Sequence, residues 1–241
     1  MFTVALIGPD GAGKTTVARR LQDALPFPVK SIYMGVNLDT SSLMLPTTRL
    51  VVALRRARGS RPNMIGTVDP TRAEAHPRGI RKLRTVLRLL NWIAEEWFRQ
   101  IVAWVYTRRG NVVVFDRHFF PDYYAYDIAE TTARRPLTNR VHGFLLRRVY
   151  PKPDLVICLD APGDVLYARK EEATPEWLER RRLEYLEMEN VLPHVAVVDA
   201  SRPVGEVVRD VAGVIAEFRA SRGATTTVPS PGPRPTREPQ P

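Results

Sequence analysis

The chain has 241 residues, 44% apolar and 26% charged, and a formal net charge of +10; that is enough apolar content for one sizeable core, expected over residues 1–221. Its one cysteine, Cys158, excludes a disulfide framework or a cysteine-built zinc site, and it lies in the apolar run Leu155 to Leu159, where a packed thiol belongs. No signal-like segment precedes the first strand and no apolar run is long enough to cross a bilayer, so a cytoplasmic protein without a membrane span is expected.

Phe2 to Ile7 reads as a short strand, and Thr16 to Leu21 as the start of an amphipathic helix. Between them Gly8 to Thr15 spell G-P-D-G-A-G-K-T, two glycines, a lysine and a hydroxyl at phosphate-loop spacing. Glycines at 8, 11 and 13 let the backbone curl until its N–H groups and the helix N-terminus face one polyphosphate. Gly8, Asp10, Gly11, Ala12, Gly13, Lys14, Thr15 and Thr16 are therefore the candidate nucleotide-binding residues. Lys14 is placed to reach the β- and γ-phosphates, and Thr15 to ligate Mg²⁺.

Val29 to Tyr33 is the second strand. Residues 34–78 hold a short helix, Pro46 to Arg58, and then a turn-rich passage, and we read them as an acceptor-side flap. Residues 49–88 carry eleven Lys or Arg against two acids, a surplus of +9. Such a stretch is either an electropositive rim or a solvated face of a basic protein. Gly79 to Arg108 reads as a long helix whose apolar residues Leu83, Val86, Leu87, Leu90, Ile93, Trp97, Ile101 and Trp104 recur every three or four positions. That spacing predicts one buried face, with the tryptophans as core and not a base-stacking box. Gly110 closes the helix.

Asn111 to Phe115 is the third strand, followed by Asp116, Arg117 and His118. A parallel sheet gathers ligands at the carboxyl ends of its strands, so this motif should meet the phosphate loop. Asp116 is a candidate for the Mg²⁺ shell or for accepting a proton, Arg117 offers a planar fork for phosphate, and His118 packs or caps. Asp154 to Leu159 is the fourth strand. A helix from Gly163 to Lys170, a hinge at 171–175 and a charged helix from Glu176 to Asn190 read as a mobile lid over residues 163–190. Arg169, Lys170, Arg180, Arg181 and Arg182 are its cations, of which one or two are expected to be catalytic and the rest to pair with nearby glutamates. His194 to Val198 is the fifth strand and Val204 to Phe218 the last helix. Residues 222–241 hold six prolines and almost no apolar side chains, which predicts a disordered tail.

The alternation of five short strands with helices predicts an α/β three-layer sandwich of the phosphate-loop NTPase class, with a five-stranded parallel sheet, helices on both faces and a helical lid. Three stretches resemble the thymidylate kinase family of nucleoside-monophosphate kinases: the phosphate loop with Asp10 inside it, Asp116-Arg117-His118, and Val197 to Pro203. The resemblance implies ATP and Mg²⁺ as cofactors, with Ser201 and Pro203 in the loop beside the adenine and Arg169 flanking it. Gly11 stands where some members carry an arginine. This implies a catalytic cation supplied from the lid, with Lys170 and Arg180 foremost beside Lys14, Asp116 and Arg117. The likeness ends after the second strand, where the family has an Arg-Glu-Pro-Gly type stretch and this chain has Tyr33 to Asp39.

The expected activity is Mg·ATP-dependent transfer of the γ-phosphoryl group to a nucleoside monophosphate, dTMP-like, or a related small phosphorylated metabolite. A hydroxyl acceptor such as a nucleoside or sugar is the alternative, with Asp116 or Asp10 as base. An ATP-binding regulatory protein without kinase activity is the reading from another class. Nucleic acid is not expected as a partner, although an end kinase using the basic flap stays open, as does a homodimer.

Overall fold

The computed structural model describes residues 1–35, 43–57, 78–118, 143–145, 148–171 and 173–224. Five strands form one sheet: β1 Thr3–Ile7, β2 Val29–Tyr33, β3 Val112–Asp116, β4 Leu155–Asp160 and β5 Val195–Asp199, in the order β2-β3-β1-β4-β5. Every neighbouring pair is parallel, with Thr3 in register with Val113 and Val4 with Leu155.

Both faces of the sheet are covered, and side-chain alternation along the strands sorts the core into two layers. Val4, Leu6, Val114, Ile157 and Leu159 pack under α1 (Lys14–Ala24) and α6 (Val204–Ala224), against Val17, Leu21, Val211 and Ile215. Ala5, Ile7, Val113, Phe115, Val156 and Cys158 point to the opposite layer, against Ala103 of α3 (Arg78–Arg108) and against Tyr185, Met188 and Leu192. This is the expected α/β three-layer sandwich with its five-stranded parallel sheet. Each strand lies within one residue of its sequence-predicted ends. Cys158 is a buried thiol, and its apolar surroundings push its pKa up to about 12.

The expected short helix is α2, Pro46–Ala57, and most of the flap around it lies outside the described residues. Two expectations are corrected. The last helix runs to Ala224, so residues 222–224 are not tail. Arg222 donates to Asp154 Oδ1 at 2.5 Å, while Asp154 Oδ2 accepts from the Thr3 N–H and hydroxyl at 2.8 and 2.9 Å; this tie extends the helix. The remaining tail, 225–241, is outside the described residues.

The second correction concerns which face of α3 is buried. Val86, Leu87, Leu90, Ile101 and Trp104 are all at least half exposed, whereas Glu95, Glu96, Arg99 and Gln100 are buried. The inward charges have partners elsewhere in the chain. Tyr150 donates to Glu96 Oε2 at 2.7 Å, the Leu45 N–H to Glu95 Oε1 at 3.0 Å, and Arg99 to the Gly35 carbonyl at 3.0 Å and the Leu43 carbonyl at 3.3 Å. Periodicity located the apolar face, but these polar partners drew the opposite face inward.

The predicted lid segment is helical, as expected. The segment folds as α4 (Gly163–Arg169), α5 (Pro175–Leu186) and a 3₁₀ turn, Glu187–Asn190. Thr174 caps α5 by accepting from the Trp177 N–H. Arg182 forks onto Asp160 at the end of β4 at 2.6 and 2.9 Å, and the Gly163 N–H donates to Glu179 at 2.9 Å. These bonds fasten α5 to α4 and to the end of β4. Among the described residues no helix is long and apolar enough to cross a membrane.

Candidate functional site

The carboxyl ends of β1, β3, β4 and β5 open on one side of the sheet, at the point where the chain switches between its two halves. β1 delivers residues 8–13 there, and the backbone of that loop passes so close to its neighbours that side chains are excluded. A Cβ on Gly8 would meet the Leu159 carbonyl oxygen at 2.5 Å, and one on Gly11 the Leu166 carbonyl oxygen at 2.6 Å. Both have positive φ, 135° and 88°, which glycine alone adopts without strain.

Gly13 is the N-cap of α1 and offers no side-chain cap, and the first turn carries no acid. The open N–H groups and positive helix end are therefore left to an anion from outside the chain. Lys14 is buried, and its ammonium donates to the Gly8 and Pro9 carbonyls at 2.6 and 2.7 Å, so the charge lies against the loop itself.

β3 delivers Asp116 and Arg117. Asp116 is 3% exposed; its Oδ1 is sealed from solvent and accepts no hydrogen bond. Burial pushes its carboxyl above the ordinary value, opposed by the Thr15 side chain against it and by Lys14 and Arg117. A buried carboxylate oxygen without a donor beside a threonine hydroxyl is an oxygen pair suited to a divalent cation. Mg²⁺ takes only one or two protein oxygens and completes its shell with phosphates and water. Thr15, on the cleft wall, and Asp116, behind it, carry the oxygens that could hold a cation there.

Arg117 holds φ at 69°, a left-handed conformation that turns its side chain toward the loop, where Nη2 meets Asp10 Oδ1 at 2.6 Å. Burial favours the neutral Asp10, but Arg117, Lys14 and Lys170 outweigh it and hold the carboxyl below its ordinary value. His118 is fully buried beside Phe115, at 5.2 Å between ring centres; its desolvation lowers its pKa to about 3, so it packs as a neutral ring.

From the lid side, Arg169 donates to the Ala200 carbonyl at 2.7 Å and the Ser201 carbonyl at 3.1 Å, bracing α4 against the loop after β5. Between that brace and the loop lies a cleft of about 710 Å³, within the range of small-molecule pockets. Asp10 to Thr16, Arg117, Arg169, Lys170, Ser201 and Pro203 all line it, joined by Arg202 and Val207, which sequence reasoning had not singled out. Gly8 and Asp116 lie behind the wall as supports.

Arg180 is not part of that cleft. It lines a second one, of about 540 Å³, with Ala173, Thr174, Glu176, Trp177 and Leu178, and Asp10 and Lys170 border both. Trp177 was not foreseen, because its place in the cleft depends on how α5 is pinned to β4. Two lid cations are removed from the candidates: Arg182 is committed to Asp160 and Glu179, and Arg181 is buried between Glu184 and Tyr185. No protein-family model and no curated protein matches the chain, so a reading of its function rests on this geometry and on the sequence motifs that build it.

Proposed function

We propose that the protein is a Mg·ATP-dependent kinase that passes the γ-phosphoryl group to a small acceptor, a nucleoside monophosphate or related anionic metabolite. One observation carries the reading: two clefts meet at Asp10 and Lys170, so that a donor on the phosphate loop and an acceptor beside α5 would face each other across that border. The resemblance to thymidylate kinases in the loop, in Asp116-Arg117-His118 and in residues 197–203 supports the same assignment.

Mg·ATP would supply the transferable group and the cation that spreads its charge. The chain would supply position and electrostatics: the backbone N–H groups of Gly11 to Thr15 hold the phosphates, Lys14 leaves the loop carbonyls for them, and Thr15 and Asp116 hold the metal. Arg169 and the Ser201–Pro203 loop flank the far end of the donor. Lys170 stands at the border where charge develops, and Arg180 on the acceptor side. For a hydroxyl acceptor, Asp10 is the better base than Asp116, because it lines both clefts and stays ionised, whereas Asp116 lines neither.

ADP release should be followed with Mg·ATP and a panel of nucleosides, nucleoside monophosphates and phosphorylated sugars. One acceptor class should raise the rate, and Lys14→Ala should lower it about 10²-fold or more. An ADP rate indifferent to every acceptor would make the protein an ATPase or a regulatory nucleotide binder, and full activity in Lys14→Ala would overturn the donor site.

A further inference from the structure

Arg182 lines neither cleft, yet every nitrogen of its guanidinium donates. Nε and Nη2 fork onto the Asp160 carboxylate at 2.6 and 2.9 Å, and Nη1 donates to Glu179 Oε1 at 2.7 Å. The other oxygen of Glu179, Oε2, accepts from the Gly163 N–H at 2.9 Å, at the start of α4. Asp160, Arg182, Glu179 and Gly163 thus close a ring that ties the end of β4 to α5, and α5 back to α4. Inside the ring the two helices meet backbone to backbone, since a Cβ on Gly163 would lie 2.6 Å from the Pro175 carbonyl oxygen.

The ring reaches the first cleft through α4. At the far end of that helix the Lys170 N–H closes on the Leu166 carbonyl at 3.1 Å, the same carbonyl that a Cβ on Gly11 would strike at 2.6 Å. α4 is therefore a seven-residue strut, held by Glu179 at one end, resting on the loop after β1, and carrying Lys170 at the other end. Lys170 borders both clefts. Asp160 serves the facing wall too: its carbonyl accepts from the Ala200 N–H at 2.6 Å, and the Ala200 carbonyl is one on which Arg169 is braced. We propose that Arg182 is a positioning residue of this site. Through Glu179 and Gly163 it sets α4 on the loop, and so sets Lys170 at the border where, on the kinase reading that this inference rests on, the phosphoryl group crosses. A helix of seven residues does not hold its place by its own hydrogen bonds. A guanidinium fork fixes direction as well as distance, whereas a lysine at 182 would keep the charge without reaching Asp160 and Glu179 in one plane.

Kinetics, nucleotide binding and hydrogen exchange on the full chain test this together. With the acceptor that most raises ADP release, Arg182→Gln should lower kcat at least about tenfold, because a shift of about 1 Å at a reacting centre is enough for such a loss. The Kd of Mg·AMP-PNP should change less than about threefold, since the loop backbone and Lys14 are untouched. In a Lys170→Ala background the same substitution should have no further effect on kcat, because Arg182 acts through Lys170. Arg182→Lys should fall between wild type and Arg182→Gln. Exchange of the α4 amides should quicken at least about tenfold in Arg182→Gln while those of β1 stay protected, and this reading needs neither acceptor nor turnover. An unchanged kcat in Arg182→Gln, or losses that add in the double variant, would overturn the positioning role, and unchanged exchange in α4 would overturn the link itself. If no acceptor raises ADP release from the wild type, the kinase reading falls, and exchange alone then decides whether Arg182 holds α4. Circular dichroism checks that each variant folds. Should Arg182→Gln not fold, Glu179→Gln takes its place with the same expectations, since its amide has an oxygen for only one of the ring's two donors.

Discussion

α1 and α3 are both amphipathic by spacing, yet they face the sheet in opposite senses. α1 buries its apolar side, Val17, Ala18 and Leu21, and leaves Arg19 and Arg20 in solvent. The second half of α3 buries Glu95, Glu96, Arg99 and Gln100 and turns Ile101 and Trp104 outward. The difference is in what each helix meets. α1 lies over a strand face of valine and leucine, where burial of apolar area decides its orientation. α3 meets backbone ends at Gly35, Leu43 and Leu45 and the Tyr150 hydroxyl, all of which need polar partners. A periodic pattern therefore reports that a helix has two faces, and the neighbours decide which one goes in.

Substitutions can break this contrast, and they are best taken from the largest effect down. Leu21→Ala should cost about 2–5 kcal/mol in urea unfolding, because Leu21 is fully buried in its layer. Val86→Ala on the outer side of α3 should stay within about 0.5 kcal/mol in dilute protein. Equal costs at the two positions would mean that the outer side of α3 is covered within the monomer. Tyr150→Phe should cost about 1–3 kcal/mol, since it leaves Glu96 Oε2 buried without its donor. A neutral result would show that the inward polar side contributes nothing to the seating of α3.

A smaller loss than that of Tyr150→Phe belongs to the tie at the end of α6. Burial raises the Asp154 carboxyl, but Arg222 and Thr3 outweigh it and hold the pKa below its ordinary value of 3.8. That stabilisation is fully present above the ordinary carboxyl range and is lost as the pH falls through the lowered value. Asp154→Asn should therefore lower the free energy of urea unfolding by about 1 kcal/mol at neutral pH, and the difference should vanish in acid. A difference that persists in acid would assign the effect to shape and not to charge.

The donor half of the site was legible because its signals are local. Gly8 to Thr15 carry turn, helix start and phosphate ligands in eight consecutive residues, and the Asp116–Arg117 pair follows its strand without a gap. The sheet was legible for a similar reason, since its strands are short apolar runs bounded by turns. Three features were not legible, and each depends on residues far apart in the chain. Arg182 is fixed by Asp160, Trp177 reaches its cleft only because α5 is pinned to β4, and the inward face of α3 answers to Tyr150 and to the backbone after β2. Composition does not encode such partners.

The position of β1 has a kinetic consequence. It is the first strand of the chain and the middle one of the sheet, held between β3 and β4, whose matching residues Val113 and Leu155 come long after Thr3 and Val4. A nascent chain therefore carries the loop after β1 for nearly half its length before either flanking strand exists. The Leu159 and Leu166 carbonyls that crowd Gly8 and Gly11 arrive later still. Such non-local pairing makes for slow closure, and the most recognisable segment of the sequence is among the last to acquire its shape.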